Sequence, residues 1–308
     1  MIARYGYLVG HPSVFASMTG LSIRDFDEVV GNVLPAYTAQ QTARLYRAER
    51  RRAVGAGHPF ELSVRDQILL TVIWLRVYPT NEVLGYLMGV SDSTVSRVMH
   101  RVVPLLEQAG RDTMRMPDPG RKHRRELPDL LRDTPQLAII IDSFEQRVQR
   151  PRDRSDADTY YSGKKKAHTL KSQVAIDEDT GQIVDVSASV RGPTADIALL
   201  KASHLAERLP KGVGMIGDLA YVGIEQVHPQ GLGAAPRRKP RGQPRPREDI
   251  AYNTAFSQRR ITVEHTIGRI RRYQALTQPD RHHRQQHTER VCSVAGLVNR
   301  HLRRCFAA

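Results

Sequence analysis

The sequence predicts a mixed α/β domain preceded by an all-α region, and three observations predict it. From Ser22 to Leu106 the apolar residues recur at three- and four-residue steps, the period of amphipathic helices. After Pro135 the grammar changes: Leu137–Ile141 is a continuous β-type run, followed by strand-like stretches at 168–176, 182–190 and 213–216. Between the two regions, Gly110 to Arg125 is rich in Pro, Gly and Arg and has little apolar periodicity.

In chain order, Ser22 to about Arg52 reads as helical, with Phe26, Val29, Val30, Val33 and Leu34 at helical spacing. Gly55-Ala56-Gly57-His58-Pro59 is a turn-rich break, and Ser63–Val77 a helix buried on most sides that carries the only tryptophan, Trp74. Shorter helices follow at 80–88 and 92–106. In the second half, Asp177–Gly181 turns one strand into the next, Pro193-Thr194 opens a helix to about Leu209, and Val213–Ile216 is a strand. A long Pro/Gly/Arg stretch precedes a helix over 254–273, and a last helix spans 288–306. This gives an arm (1–60), a helix-turn-helix (61–109), a basic linker (110–135) and a catalytic α/β domain (136–308) with a basic Pro/Gly-rich insertion at 228–250.

Residues 81–99 have the layout of a helix-turn-helix. Leu84 and Met88 face inward, Gly85 is small where two helices cross, Gly89 supplies a positive φ, and Ser91 is a good N-cap. Val95, Val98, Met99 and Val102 give the second helix an apolar face; Asp92, Ser93, Ser96, Arg97, His100 and Arg101 form the other. Short polar and cationic side chains there suit a major groove, although an ordinary helical hairpin shares the core pattern.

Three acids carry the candidate chemistry. Asp142 ends the first apolar strand run and Asp218 ends the run Val213–Gly217, places where α/β sheets build sites. A carboxylate at a buried strand end needs a metal ion, solvent or an arginine such as Arg147. Glu264 lies in the stripe Arg260, Glu264, Ile267 and Arg271, an acid between two cations; an ordinary salt bridge from Arg260 to Glu264 is the plainer account. Asp196 near a helix start reads first as a dipole partner and second as an outer member of the site. Asp156, Asp158, Asp177, Asp179 and Asp185 fall in loop or turn contexts and read as solvated.

Charge sets the partner. The chain has 308 residues, with 47 Lys+Arg against 32 Asp+Glu, a formal charge of +15 and 40% hydrophobic residues. Carboxylates gathered in so basic a protein point to divalent metal acting on nucleic acid. Lys164-Lys165-Lys166 and the acid-free stretch 236–247 are further cationic segments. Cys292 and Cys305 form no CxxC, so a reducing, nucleoid-associated cytoplasmic setting is expected. His282, His283 and His287 lack cysteine or acidic partners, which argues against zinc. The longest apolar segment, 68–75, is too short to span a bilayer, and no membrane partner is expected.

These residues resemble the DDE transposases of bacterial insertion sequences, in the branch related to Harbinger elements. The resemblance covers nearly the whole chain, through Met18–Leu21, Gly55–Gly57, the helix-turn-helix, Tyr161–Lys166, His168–Lys171 and the Glu264 helix. It implies a ribonuclease H-like catalytic domain with Asp142, Asp218 and Glu264 as its acidic triad. These would hold two Mg²⁺ ions (Mn²⁺ as a substitute) roughly 3.5–4 Å apart. The family signature spaces Tyr, Arg, Glu and Lys by two, three and six residues. Here Arg260 and Glu264 match, Arg271 replaces the lysine, and Ser257 stands at the tyrosine position beside Phe256. Ser93, Ser96, Arg97, Arg101, Lys164, Lys165, Lys166, His168, Lys171, Arg260 and Arg271 are the implied DNA contacts. The implied activity is cutting at the element's terminal inverted repeats and joining the ends to target DNA, by a dimer or higher oligomer on double-stranded DNA. Metal-dependent cleavage without joining, and a silent DNA-binding regulator, remain as alternatives.

Overall fold

A computed structural model describes residues 2–46, 60–122 and 126–307. The expected turn at 55–59, the end of the first expected helix beyond residue 46 and part of the expected linker (123–125) lie outside the described residues.

Helices α1 (Tyr5–Leu8), α2 (Pro12–Thr19) and α3 (Ile23–Leu45) form the arm. A capping box, with Ser22 accepting from the Asp25 amide and the Asp25 side chain from that of Ser22, starts α3. Phe26, Val29, Val30 and Val33 are buried as expected, but Leu34 is exposed and Tyr37 takes its place in the core. Helix α4 (Val64–Val77) buries every residue from Gln67 to Leu75. It is the central post of the helical region. Helices α5 (Asn81–Met88) and α6 (Asp92–Arg111) are the expected pair, α6 continuing through Pro104 five residues past the expected end. A Cβ at Gly85 would lie 2.6 Å from the Val90 carbonyl oxygen, and Gly89 has φ 67°, so both glycines are required by the turn.

The sheet is mixed. Strand β1 (Ala138–Arg147) is central, and after α7 (Arg154–Tyr160) and the short β2 (Tyr161–Ser162) the chain returns as β3 (Ala167–Asp177), antiparallel to β1. The expected strand at 182–190 is two segments, β4 (Ile183–Val186) and β5 (Val190–Arg191), both paired to β3. The expected helix to Leu209 is likewise two, α8 (Asp196–Ser203) and α9 (Leu205–Arg208), split at His204, which has φ 52°. Strand β6 (Gly214–Ile216) runs parallel to β1, and after α10 (Ile224–Val227) a two-residue strand β7 (Gly233–Ala234) runs parallel to β6. Helix α11 (Arg247–Arg271) starts seven residues earlier than expected, inside the basic stretch, and α12 (His287–Ala307) closes the chain.

The two halves share a core. Ile140, Phe144, Val174 and Ile176 of the sheet pack in one cluster with Phe256, Val263 and Ile270 of α11, Val291 to Val298 of α12, and the apolar faces of α3 to α6. The backbones of α6 and α12 cross at Gly110 and Gly296: a Cβ on Gly296 would lie 2.3 Å from the Gly110 Cα. Covering the other sheet face, Leu200, Leu205, Tyr221 and Ile224 pack on Ile139, Ile141 and Met215. The helical region is thus bolted to the sheet through α12.

Candidate active site and DNA-reading surface

Asp142 is not at the end of its own strand; β1 runs five residues further. What ends there is its neighbour. The parallel register pairs Ile139 with Met215 and Ile140 with Ile216, and carried on by two residues it sets Asp218 level with Asp142. Adjacent strands lie about 4.8 Å apart, and residues two apart share a face. The Asp218 side chain accepts from the Ala220 amide (2.8 Å), which fixes the turn Leu219–Tyr221.

Three aspartates interact electrostatically at this point. Burial pushes the Asp142 carboxyl up to about 6; Asp218 and Asp196 add to the rise, while the Ser143 amide and Arg260 oppose it. The partner of Asp142 is Arg260 (3.5 Å), not Arg147, which is exposed. Asp196 is held on both sides, by the Ser143 hydroxyl (2.7 Å) and by Lys171 Nζ (2.9 Å). Beneath them Tyr221 donates to Gln173 Oε1 (3.2 Å), its phenol pushed well up by burial.

Glu264 stands apart. It is exposed, and among the described residues it makes no hydrogen bond or ion pair; the alternative of a plain Arg260–Glu264 bridge is not formed. Its position follows from the helix, one turn and about 6 Å of rise beyond Arg260, which touches Asp142. Among the described residues no three His, Cys, Asp or Glu side chains close on one point that would hold a metal ion. The donor chemistry nevertheless fits a hard divalent cation: Asp142 and Asp218 offer only oxygen, and a cation beside Asp142 would relieve the crowding that raises its carboxyl.

The cations divide into free and committed. Arg97 and Lys164–Lys166 are exposed, as is Arg271 at the end of α11; the neutral Ser93 beside Arg97 is exposed too. The lysines lie past Thr169, which pairs with Arg147, so they sit more than roughly 17 Å along β1 from Asp142, by strand rise. His168 is half-buried, edge-on to Tyr161 (5.7 Å). Two expected DNA contacts are already engaged by protein groups. Lys171 is 7% exposed and bonds Asp196 and the Thr194 carbonyl, so it organises the acids. Arg101 is half-buried, bonded to Gln67 Oε1 (2.7 Å) and laid over Phe60.

Several aspartates read as solvated are not. Asp177 is buried and pairs with Lys122, Asp185 bonds Arg208 (2.8 Å), and Asp156 pairs with Arg191 and Arg284. His287 is buried between Gln146 and Ser189 and stays neutral, its imidazole pushed down to about 3 by desolvation and Arg290. Sequence reasoning missed Ser143 and the Lys171–Asp196 pair. A lysine inside a strand otherwise buried from Thr169 to Asp177 was the available signal, because a charge there requires a partner.

The comparisons with known proteins agree with this layout. A family model described as DDE superfamily endonuclease matches residues 141–299, and one described as helix-turn-helix of DDE superfamily endonuclease matches residues 60–112. The chain is 26% identical over 285 residues (92% of this chain, 93% of the relative) to the probable transposase for insertion sequence element IS702 of Microchaete diplosiphon. It is 26% identical over 268 residues (86% of each chain) to the putative transposase for insertion sequence element IS112 of Streptomyces albus G. No solved structure matches. Among the described residues no helix is long and apolar enough to cross a membrane.

Proposed function

The chain belongs to the DDE superfamily endonucleases, and we propose that it is a DNA transposase that cuts the ends of its own element and joins them to target DNA. The observation that carries this reading is the register that sets Asp218 beside Asp142, with Arg260 of α11 reaching the same carboxylate. The sheet order supports a ribonuclease H-like core: an antiparallel β3 on one side of β1, and parallel β6 and β7 on the other.

In this reading Asp142, Asp218 and Glu264 would hold two Mg²⁺ ions, for which Mn²⁺ would be a substitute. Bound there, the ions supply an activated water or 3′ hydroxyl and stabilise the leaving oxygen. Asp142 would present its oxygens from β1, and Asp218 from the turn that follows the adjacent β6. Glu264 comes in from α11, whose Arg260 and Arg271 contact phosphates. Lys171 and Ser143 fix Asp196, which keeps the Asp142 surroundings negative and favourable to cations. Ser93, Ser96 and Arg97 read the terminal repeats from α6, and Lys164–Lys166 contact backbone further along β1. The shared core holds reading head and acids at a fixed spacing. Because two ends must be handled together, the working form on DNA is a dimer or larger.

The test is a joining assay with pre-cut ends taken from the DNA flanking the reading frame, in Mg²⁺. The reading expects a joined product. Cleavage of uncut ends without joining would make the protein a nuclease, and DNA binding with neither reaction would make it a regulator.

A further inference from the structure

A groove of about 630 Å³ opens at the β5 edge of β3, lined by Tyr160, Ser189, Arg191, Thr194, His283 and Arg284 among others. Its chemistry is built. The Arg191 and Arg284 guanidiniums both lie over the Tyr160 ring, 5.4 and 4.6 Å from its centre. Both also pair with one carboxylate, Asp156, at 3.6 and 3.1 Å. One acid shared by two guanidiniums leaves a net positive charge and leaves N–H donors over for another acceptor. The neighbouring Glu145 is turned to the Thr169 hydroxyl (2.7 Å).

The groove is coupled to both ends of the molecule. Its rim residue Thr194 accepts, through its carbonyl, from the same Lys171 Nζ that pairs with Asp196. On the other side, the segment that supplies His283 and Arg284 is tied to the helical region: Arg281 bonds the Tyr78 carbonyl (2.6 Å), and His282 stands edge-on to Trp74 (4.8 Å). Tyr78 and Pro79 lead directly into α5.

We propose that this groove is a second DNA site, in which Arg191 and Arg284 hold the phosphodiester backbone of the strand that runs between the α6 surface and the carboxylates. The inference rests on the transposase reading, which makes DNA the substrate, α6 the reading surface and the carboxylates the cutting site. Asp156 is its positioning residue, presenting two preorganised guanidiniums to successive phosphates. The volume suits a nucleotide, since small-molecule sites span about 300–1,000 Å³. Segment 281–287, whose histidines the sequence argues against as a zinc site, is in this account a DNA strut.

The test uses the full chain and a mixed-sequence duplex containing 5-bromodeoxyuridine. Ultraviolet cross-linking followed by peptide mass analysis should label peptides containing Tyr160 or residues 281–287 as well as α6. In parallel, the slope of log binding constant against log salt should fall by about 1.8 in magnitude in Arg191→Gln/Arg284→Gln, with affinity down on the order of tenfold. It should hold near the wild-type slope in Arg191→Lys/Arg284→Lys, which keeps the charge. Cross-links confined to α6 peptides, or an unchanged slope in the glutamine variant, overturn the groove while leaving DNA binding intact. Absence of any cross-link overturns both the groove and the DNA reading.

Discussion

Arg259 and Arg260 are consecutive residues on one helix, each facing one carboxylate, and they occupy opposite regimes. Arg259 is 6% exposed and fully matched: Nε and Nη2 bond both oxygens of Glu178 (2.8 and 2.7 Å), Nη1 bonds Thr134, and Nη2 also bonds the Pro135 carbonyl. Arg260 meets Asp142 at a looser 3.5 Å, and its Nε is buried without a hydrogen-bond partner. The first pair locks α11 to the foot of the sheet. The second leaves donors unmet and a carboxyl pushed up to about 6, in a place where a metal ion and a phosphate would satisfy both. In the proposed reading, neighbouring positions with the same residue type divide the labour between holding the helix and acting on a ligand.

The sharpest way to break this contrast is Arg259→Ala. It strands Glu178 in the interior and should cost about 3–5 kcal/mol, read by chemical denaturation. Arg260→Met should change stability by less than about 1 kcal/mol in either direction and still abolish DNA cutting. Equal stability losses in the two variants would erase the distinction.

How far this was legible in the sequence follows the range of the interactions. The helix-turn-helix could be read residue by residue because its determinants are local: Gly85, Gly89, Ser91 and the Val95–Val102 stripe all act within a turn or two. Asp142 and Asp218 were legible as acids after apolar runs, but their juxtaposition needed the β1–β6 register, which no local pattern encodes. The length of β1 was misjudged at Asp142 because Asp-Ser-Phe-Glu-Gln-Arg lacks an apolar run, yet β3 pairs with all of it. The same limit explains the aspartates read as solvated: Lys122 lies 55 residues from Asp177, and Arg284 lies 128 from Asp156. Glu264 was found through its arginine spacing and by resemblance. Its exposed side chain gives no geometric signal of its own.

Smaller effects sharpen the picture. Between about pH 4 and pH 6 the folded protein holds a proton on Asp142 that the unfolded chain has released, so this group lowers stability as pH rises through that window. The cost is up to about 3 kcal/mol and is complete above pH 6. A divalent ion should relieve it only where the carboxylate is ionised. The Mg²⁺-induced rise in Tm should therefore be small at pH 5 and larger at pH 7.5; a shift independent of pH would remove Asp142 from the metal set. At the crossing of the two halves, Gly110→Ala should cost about 1–3 kcal/mol by overpacking α6 against α12, measured by thermal unfolding. A neutral result would mean that the helical region is less firmly joined to the sheet.

The most direct trial of the triad is single-turnover DNA cleavage in Mg²⁺ by Asp142→Asn, Asp218→Asn and Glu264→Gln, with DNA affinity measured on the same samples. Each variant should bind DNA as the parent does and cut at least about a thousandfold more slowly, as expected when a metal-holding group is lost. Parental cleavage by any one of them, above all by Glu264→Gln, would contradict the account.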